Sequence, residues 1–87
     1  MTIQTDLSPA LAADAEKSLL IVDDDKAFLQ RLARAMELRG FEVETAASVA
    51  EGKSAVDARA PAFAVVDMRL ADGNGLDVVD YLRERRT

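Results

Sequence analysis

Short apolar runs alternate with amphipathic segments along this chain. Leu19-Leu20-Ile21-Val22 is compact, contains β-branched residues and is closed by Asp23, Asp24 and Asp25. Its length suits a buried strand better than a helix. From Ala27 to Arg39 the period changes. Phe28, Leu32, Ala35 and Met36 fall on one helical face, with Arg31, Arg34 and Glu37 opposite. Gly40 supplies a left-handed cap for that helix. Phe41-Glu42-Val43-Glu44-Thr45 alternates apolar and polar positions, as a half-exposed edge strand does. Ser48 and Glu51 form a capping box for a second helix. That helix runs to about Arg59 and is stopped by Pro61. Ala62 to Val66 is a second buried run, ending in Asp67, and Ala71 to Gly75 reads as a glycine-rich loop. A third helix begins near Leu76, with Val78, Val79 and Leu82 as its apolar stripe. Its basic end, Arg83, Arg85 and Arg86, suits the negative end of a helix dipole and reads as solvated.

Strands alternating with helices predict an α/β fold with a parallel sheet and right-handed crossovers, in the order βαβαβα. The two apolar strands should be central and the alternating one peripheral, giving the strand order 2-1-3. Residues 1–16 have three acids, no base and one proline, and read as a flexible N-terminal tail. Residues 17–87 form the folded unit.

Composition narrows the function. The chain has 87 residues, 16 acidic against 11 basic, for a net charge of −5. That balance argues against direct nucleic-acid binding. Without Cys or His, thiolate and imidazole metal sites and His-based triads are excluded. No apolar run approaches the ~20 residues of a membrane span, and no secretory signal is evident, so a cytoplasmic protein without membrane attachment is expected.

The acids carry the candidate chemistry. In the order 2-1-3, strands one and three are neighbours roughly 4.8 Å apart. Ligand sites of open α/β sheets lie at the carboxyl ends of strands where the order reverses. Asp23, Asp24 and Asp67 should therefore converge. Carboxylates ~4 Å apart repel by about 4 kcal/mol at an effective dielectric near 20, and a raised pKa or a bound cation offsets this. An oxygen-only set selects a hard ion, and few carboxylates with waters suit Mg²⁺ better than Ca²⁺. The acids can equally serve as helix caps, and Asp25, before Lys26 and Ala27, has that placement. Tyr81 carries no signal of its own.

The segments Leu20-Ile21-Val22-Asp23-Asp24-Asp25, Val65-Val66-Asp67-Met68-Arg69-Leu70 and Asn74-Gly75 together resemble the receiver domain of bacterial two-component response regulators. From Ser18 to Arg86 the chain is similar to the RegA/PrrA/ActR branch of redox-responsive regulators. The resemblance implies a flavodoxin-like (CheY-like) receiver fold and a role in phosphorelay signalling, not catalysis of its own. It implies Asp67 as phosphoacceptor, taking the group from a phosphohistidine on a sensor histidine kinase of the RegB/PrrB type. It implies Mg²⁺ held by Asp23, Asp24, Asp67 and the backbone carbonyl of Arg69. Asp25 receives no metal role.

The chain departs from the family's pattern in two ways. Ala71 stands where many receivers have proline. A complete receiver also has five strands and five helices, and this chain accounts for three of each. A switch Ser or Thr, a Lys that contacts the phosphoryl group, and a DNA-binding output domain have no counterpart in it. The expectation is an incomplete receiver, with Ala62 to Val66 as an exposed apolar edge and a homodimer or strand-swapped oligomer as its consequence. Two other readings stand beside it. One is an interaction module that binds a kinase or regulator through that edge without phosphotransfer. The other is a phosphatase of the haloacid-dehalogenase type, suggested by Asp23 and Asp25 after a buried strand; Lys26 and Ala27 do not continue that motif.

Overall fold

The computed structural model describes residues 2–4 and 17–86. Strand β1 is Thr2–Gln4, β2 is Ser18–Val22, helix α1 is Lys26–Glu37 and β3 is Glu42–Ala46. Helix α2 is Val49–Ala58, β4 is Phe63–Asp67, β5 is Arg69–Leu70, β6 is Gly73–Asn74 and α3 is Gly75–Arg86. The main sheet has the order β1-β4-β2-β3. Its three parallel strands have the expected arrangement, with β2 between β3 and β4.

All five residues of β2 are buried, because helices cover both faces of the strand. Leu20, Val22, Ala64 and Val66 pack with Val49, Val56, Val78 and Leu82 of α2 and α3. Leu19, Ile21 and Phe63 face the other way and pack with Leu29 of α1. The Phe41 ring meets Phe63 edge-on, centroids 5.9 Å apart. Buried Ser18 is satisfied, its Oγ accepting from the amide of Ala62 at 2.8 Å, which ties the starts of β2 and β4 together.

The helix signals resolve residue by residue. Gly40 has φ +93°, and the Phe41 amide bonds Met36 O while the Gly40 amide bonds Glu37 O. These two bonds form a Schellman motif. Ser48 Oγ accepts from the Glu51 amide at 3.1 Å, and Glu51 Oε1 accepts from the Ala47 amide. The stripe of α1 lies one residue round from the expected one. Leu29 is its most buried position, with Leu32, Ala33 and Met36 beside it, while Phe28 is half-buried. Both stripes have helical spacing, so the period could not choose between adjacent registers.

The edge of β4 differs from expectation. Thr2–Gln4 pairs antiparallel with Val65–Asp67, Thr2 opposite Asp67 and Gln4 opposite Val65. The stretch from Val65 to Asp67 is thus not an open edge, which removes the ground there for strand swapping or for docking a partner. Three residues of the segment read as a tail are therefore strand; residues 5–16 of that segment lie outside the described residues. The segment read as a loop after β4 contains a small hairpin, Arg69 opposite Asn74 and Leu70 opposite Gly73.

Candidate functional site

The sheet register builds the acidic site. Val22 pairs with Val66 on one side and Ala46 on the other. The next residue along β2 is Asp23, so it emerges beside Asp67, the last residue of β4. The Asp23 amide bonds Ala46 O at 3.1 Å and extends the β3 ladder past the strand end. Asp23, Asp24 and Asp67 each offer a carboxylate oxygen within 4.8 Å of the others. Asp23 and Asp67 are partly buried and Asp24 is exposed.

Local hydrogen bonds orient these acids. Asp23 Oδ1 accepts from the Asp25 amide at 2.9 Å and turns the chain into α1. Asp25 is the N-cap, its Oδ1 accepting from the Phe28 amide at 3.0 Å. The acidic trio of the sequence thus divides into two acids of the cluster and one helix cap. Asp67 Oδ1 accepts from the Arg69 amide at 3.3 Å. The Gly75 amide bonds Met68 O at 2.8 Å and closes the loop behind Asp67. A Cβ on Gly75 would overlap the Asp67 carbonyl oxygen and stand 2.8 Å from its carbon. This close approach admits no side chain.

Three carboxylate oxygens this close form a donor set that fits a hard divalent cation. A groove of about 340 Å³ lies elsewhere, lined by residues including Leu20, Glu42, Glu44, Ala55 and Arg59. Its charged groups include the Arg59–Glu42 ion pair at 3.1 Å, which is largely exposed. Among the described residues, the group of three converging carboxylates is the one at the acidic end, which is therefore the better candidate.

Two features beyond this cluster are not legible in the sequence. Asp72, at the tip of the β5–β6 hairpin, accepts from the amides of Val49 at 2.8 Å and Ala50 at 3.1 Å. These bonds hold its carboxyl below the ordinary carboxylate range. The Asp-Gly pair marks a turn, but its partner lies more than twenty residues away in sequence. At the other end of the helix pair, Tyr81 Oη donates to Asp57 at 2.8 Å and Arg85 Nε to the same carboxylate at 3.0 Å. The Arg85 guanidinium stacks on the Tyr81 ring, 3.6 Å from its centroid. Arg85 is thus a bridging residue between α2 and α3, and not simply part of a solvated helix end. The hydrogen bonds from Tyr81 and then Arg85 hold the Asp57 carboxyl low, and the same carboxylate raises the Tyr81 phenol.

Comparison with known proteins agrees with this geometry. Residues 19–87 match the response regulator receiver domain. The chain is 71% identical over 72 residues to photosynthetic apparatus regulatory protein RegA of Cereibacter sphaeroides, covering 83% of this chain and 39% of that protein. It is 62% identical over 80 residues to acid tolerance regulatory protein ActR of Rhizobium meliloti, covering 86% and 41%. Alginate biosynthesis transcriptional regulatory protein AlgB of Pseudomonas putida is 33% identical over 72 residues, covering 83% and 16%. The chain thus spans at most about two-fifths of the length of these relatives. The match over residues 19–87, the parallel sheet and the acids at its carboxyl end agree: the chain belongs to the response regulator receiver domain family.

Proposed function

We propose that this chain is the phosphoacceptor of a cytoplasmic two-component phosphorelay, with Asp67 as the accepting residue. The observation that carries the reading is the convergence of Asp23, Asp24 and Asp67 at the carboxyl end of the sheet. A carboxylate oxygen of Asp67 attacks the phosphorus of a phosphohistidine on a sensor kinase, of the RegB/PrrB type by family resemblance. The new O–P bond forms as the P–N bond breaks, and its electron pair returns to the imidazole nitrogen, which takes up a proton. Asp23, Asp24, Asp67 and the Arg69 carbonyl would hold Mg²⁺, which offsets the repulsion between the phosphoryl oxygens and the carboxylates. The chain's own part is placement. The β2–β4 register sets Asp23 beside Asp67, and the Asp25 cap fixes how the chain leaves Asp23.

The test is phosphotransfer from a phosphorylated histidine-kinase domain, or from acetyl phosphate, with Mg²⁺ present. A hydroxylamine-labile phosphoryl group on the wild type and none on Asp67→Asn is the expected result. Equal labelling of the two would overturn the assignment.

A further inference from the structure

The N-terminus of α2 is satisfied by two separate parts of the chain. Glu51 donates its amide to Ser48 Oγ, and Gly52 donates to Ser48 O, both within the helix's own leader. The two remaining first-turn amides, Val49 and Ala50, both donate to Asp72. Ser48 already serves as the N-cap, so Asp72 joins two segments where a local residue would have served the helix alone.

What Asp72 joins to α2 is the loop that carries the proposed chemistry. Ala71 and Asp72 form the two-residue tip of the hairpin in which Arg69 pairs with Asn74 and Leu70 with Gly73. The other end of that hairpin is fixed to Asp67 by the Arg69 amide and closed by the Gly75 amide on Met68 O. Leu70 is 8% exposed and anchors the middle in the core. The hairpin is therefore held at its base by Asp67, in its middle by packing, and at its tip by Asp72.

We infer that Asp72 is a positioning residue for the acidic site: it clamps the β5–β6 hairpin onto the first turn of α2 and so fixes the backbone from Asp67 to Arg69. The inference rests on the proposed function for its metal readout. Asp72 acts through that backbone and not as a ligand. Its loss leaves every carboxylate of the cluster present and lets the Arg69 carbonyl move relative to them. Substitutions that disturb the supports of a metal site typically weaken binding by roughly 10- to 100-fold.

The experiment is a Mg²⁺ titration of the full chain, followed by the amide shifts of Asp23, Asp24, Asp67 and Arg69, for wild type, Asp72→Ala, Asp72→Asn and Ser48→Ala. Asp72→Ala is expected to weaken Mg²⁺ binding roughly tenfold. Asp72→Asn keeps one acceptor and should fall between it and wild type, which also covers the case in which the alanine variant does not fold. Ser48→Ala removes the other cap of the same helix and should leave the affinity unchanged. Unchanged affinity in both Asp72 variants, or equal weakening by Ser48→Ala, overturns the inference, since a helix cap alone would then account for Asp72. Metal-free hydrogen exchange separates this from the functional reading. A wild type that binds no Mg²⁺ sinks the metal site, and the clamp is then decided by the Gly75 amide. Faster exchange there in the Asp72 variants but not in Ser48→Ala sustains it, and any other pattern overturns it.

Discussion

The two ends of the α2–α3 pair use carboxylates in opposite ways. At the amino end of the sheet, Asp57 is surrounded by donors, the Tyr81 hydroxyl and the Arg85 guanidinium, so one negative charge is answered within 3.0 Å. At the carboxyl end, three carboxylates face one another within 4.8 Å. Neighbouring backbone amides donate to two of them, Asp25 to Asp23 and Arg69 to Asp67. Such bonds aim a carboxylate without cancelling its charge. The first arrangement holds two helices together. The second brings like charges together, and a bound cation would offset their repulsion. An acid set among donors and an acid set among other acids thus differ less in burial than in what stands opposite them.

The largest expected effect comes from filling the backbone contact behind Asp67. Gly75→Ala places a methyl group against the Asp67 carbonyl and 2.9 Å from Val66 Cγ1. Both β4 and the start of α3 must shift, so stability should fall by about 3 kcal/mol, with loss of the Mg²⁺ response. Denaturant unfolding with and without Mg²⁺ measures both. A stable variant with a normal response would show that the close approach does not constrain the site.

Removing repulsion should have a smaller effect and the opposite sign. Asp24→Asn eliminates one exposed charge of the cluster. Without Mg²⁺ it should stabilise the fold by about 1 kcal/mol, from the Coulomb energy of charges this close in a partly solvated setting. With Mg²⁺ the wild type should gain more than the variant, and the order of the two melting temperatures should narrow or invert. A variant less stable than wild type in metal-free buffer would contradict repulsion at this end.

At the other end, Tyr81→Phe removes one donor from Asp57 and should lower the melting temperature modestly without altering the Mg²⁺ response. Its pH dependence is more specific. The folded-state carboxyls of Asp57 and Asp72 are both depressed. The stability they contribute is present above the ordinary carboxylate range and is lost as the pH falls through that range and below it. Tyr81 is shifted upward, so its share is complete below the ordinary phenol range and is lost as the pH rises through its raised value. Tyr81→Phe should remove the Tyr81 share of the alkaline loss and flatten the acid loss only in part, because Asp72 and the Arg85 bond to Asp57 remain. Thermal melts across the pH range read this directly.

The smallest effect is expected at Gly52. A Cβ there would stand 3.1 Å and 3.2 Å from the Val78 methyl groups, tight but against side-chain atoms. The crowding opposes the gain of about 1 kcal/mol in helix propensity, so Gly52→Ala should change stability by less than about 1 kcal/mol. A large loss would mean that the α2–α3 spacing is more rigid than the Tyr81–Asp57–Arg85 bridge suggests.

The local sequence was sufficient for most choices that depended on neighbouring residues, the β5–β6 hairpin read as a loop being the exception. The buried runs at Leu19 to Val22 and Phe63 to Val66, the stop at Gly40, the Ser48–Glu51 box and the Asp25 cap follow from period, φ preference and side-chain reach over a few residues. Parallel strands in the order β3-β2-β4 follow from alternation and handedness, and that order suffices to bring Asp23 near Asp67. The tertiary structure decided contacts between segments remote in sequence. It seated Thr2–Gln4 on β4, chose Leu29 over Phe28 as the centre of the α1 stripe, and turned Tyr81 and Arg85 onto Asp57. It also carried Asp72 to the first turn of α2. Hydrogen bonds and rotamers of this kind have no period along the chain. Their partners meet only after the sheet register has fixed where each helix begins.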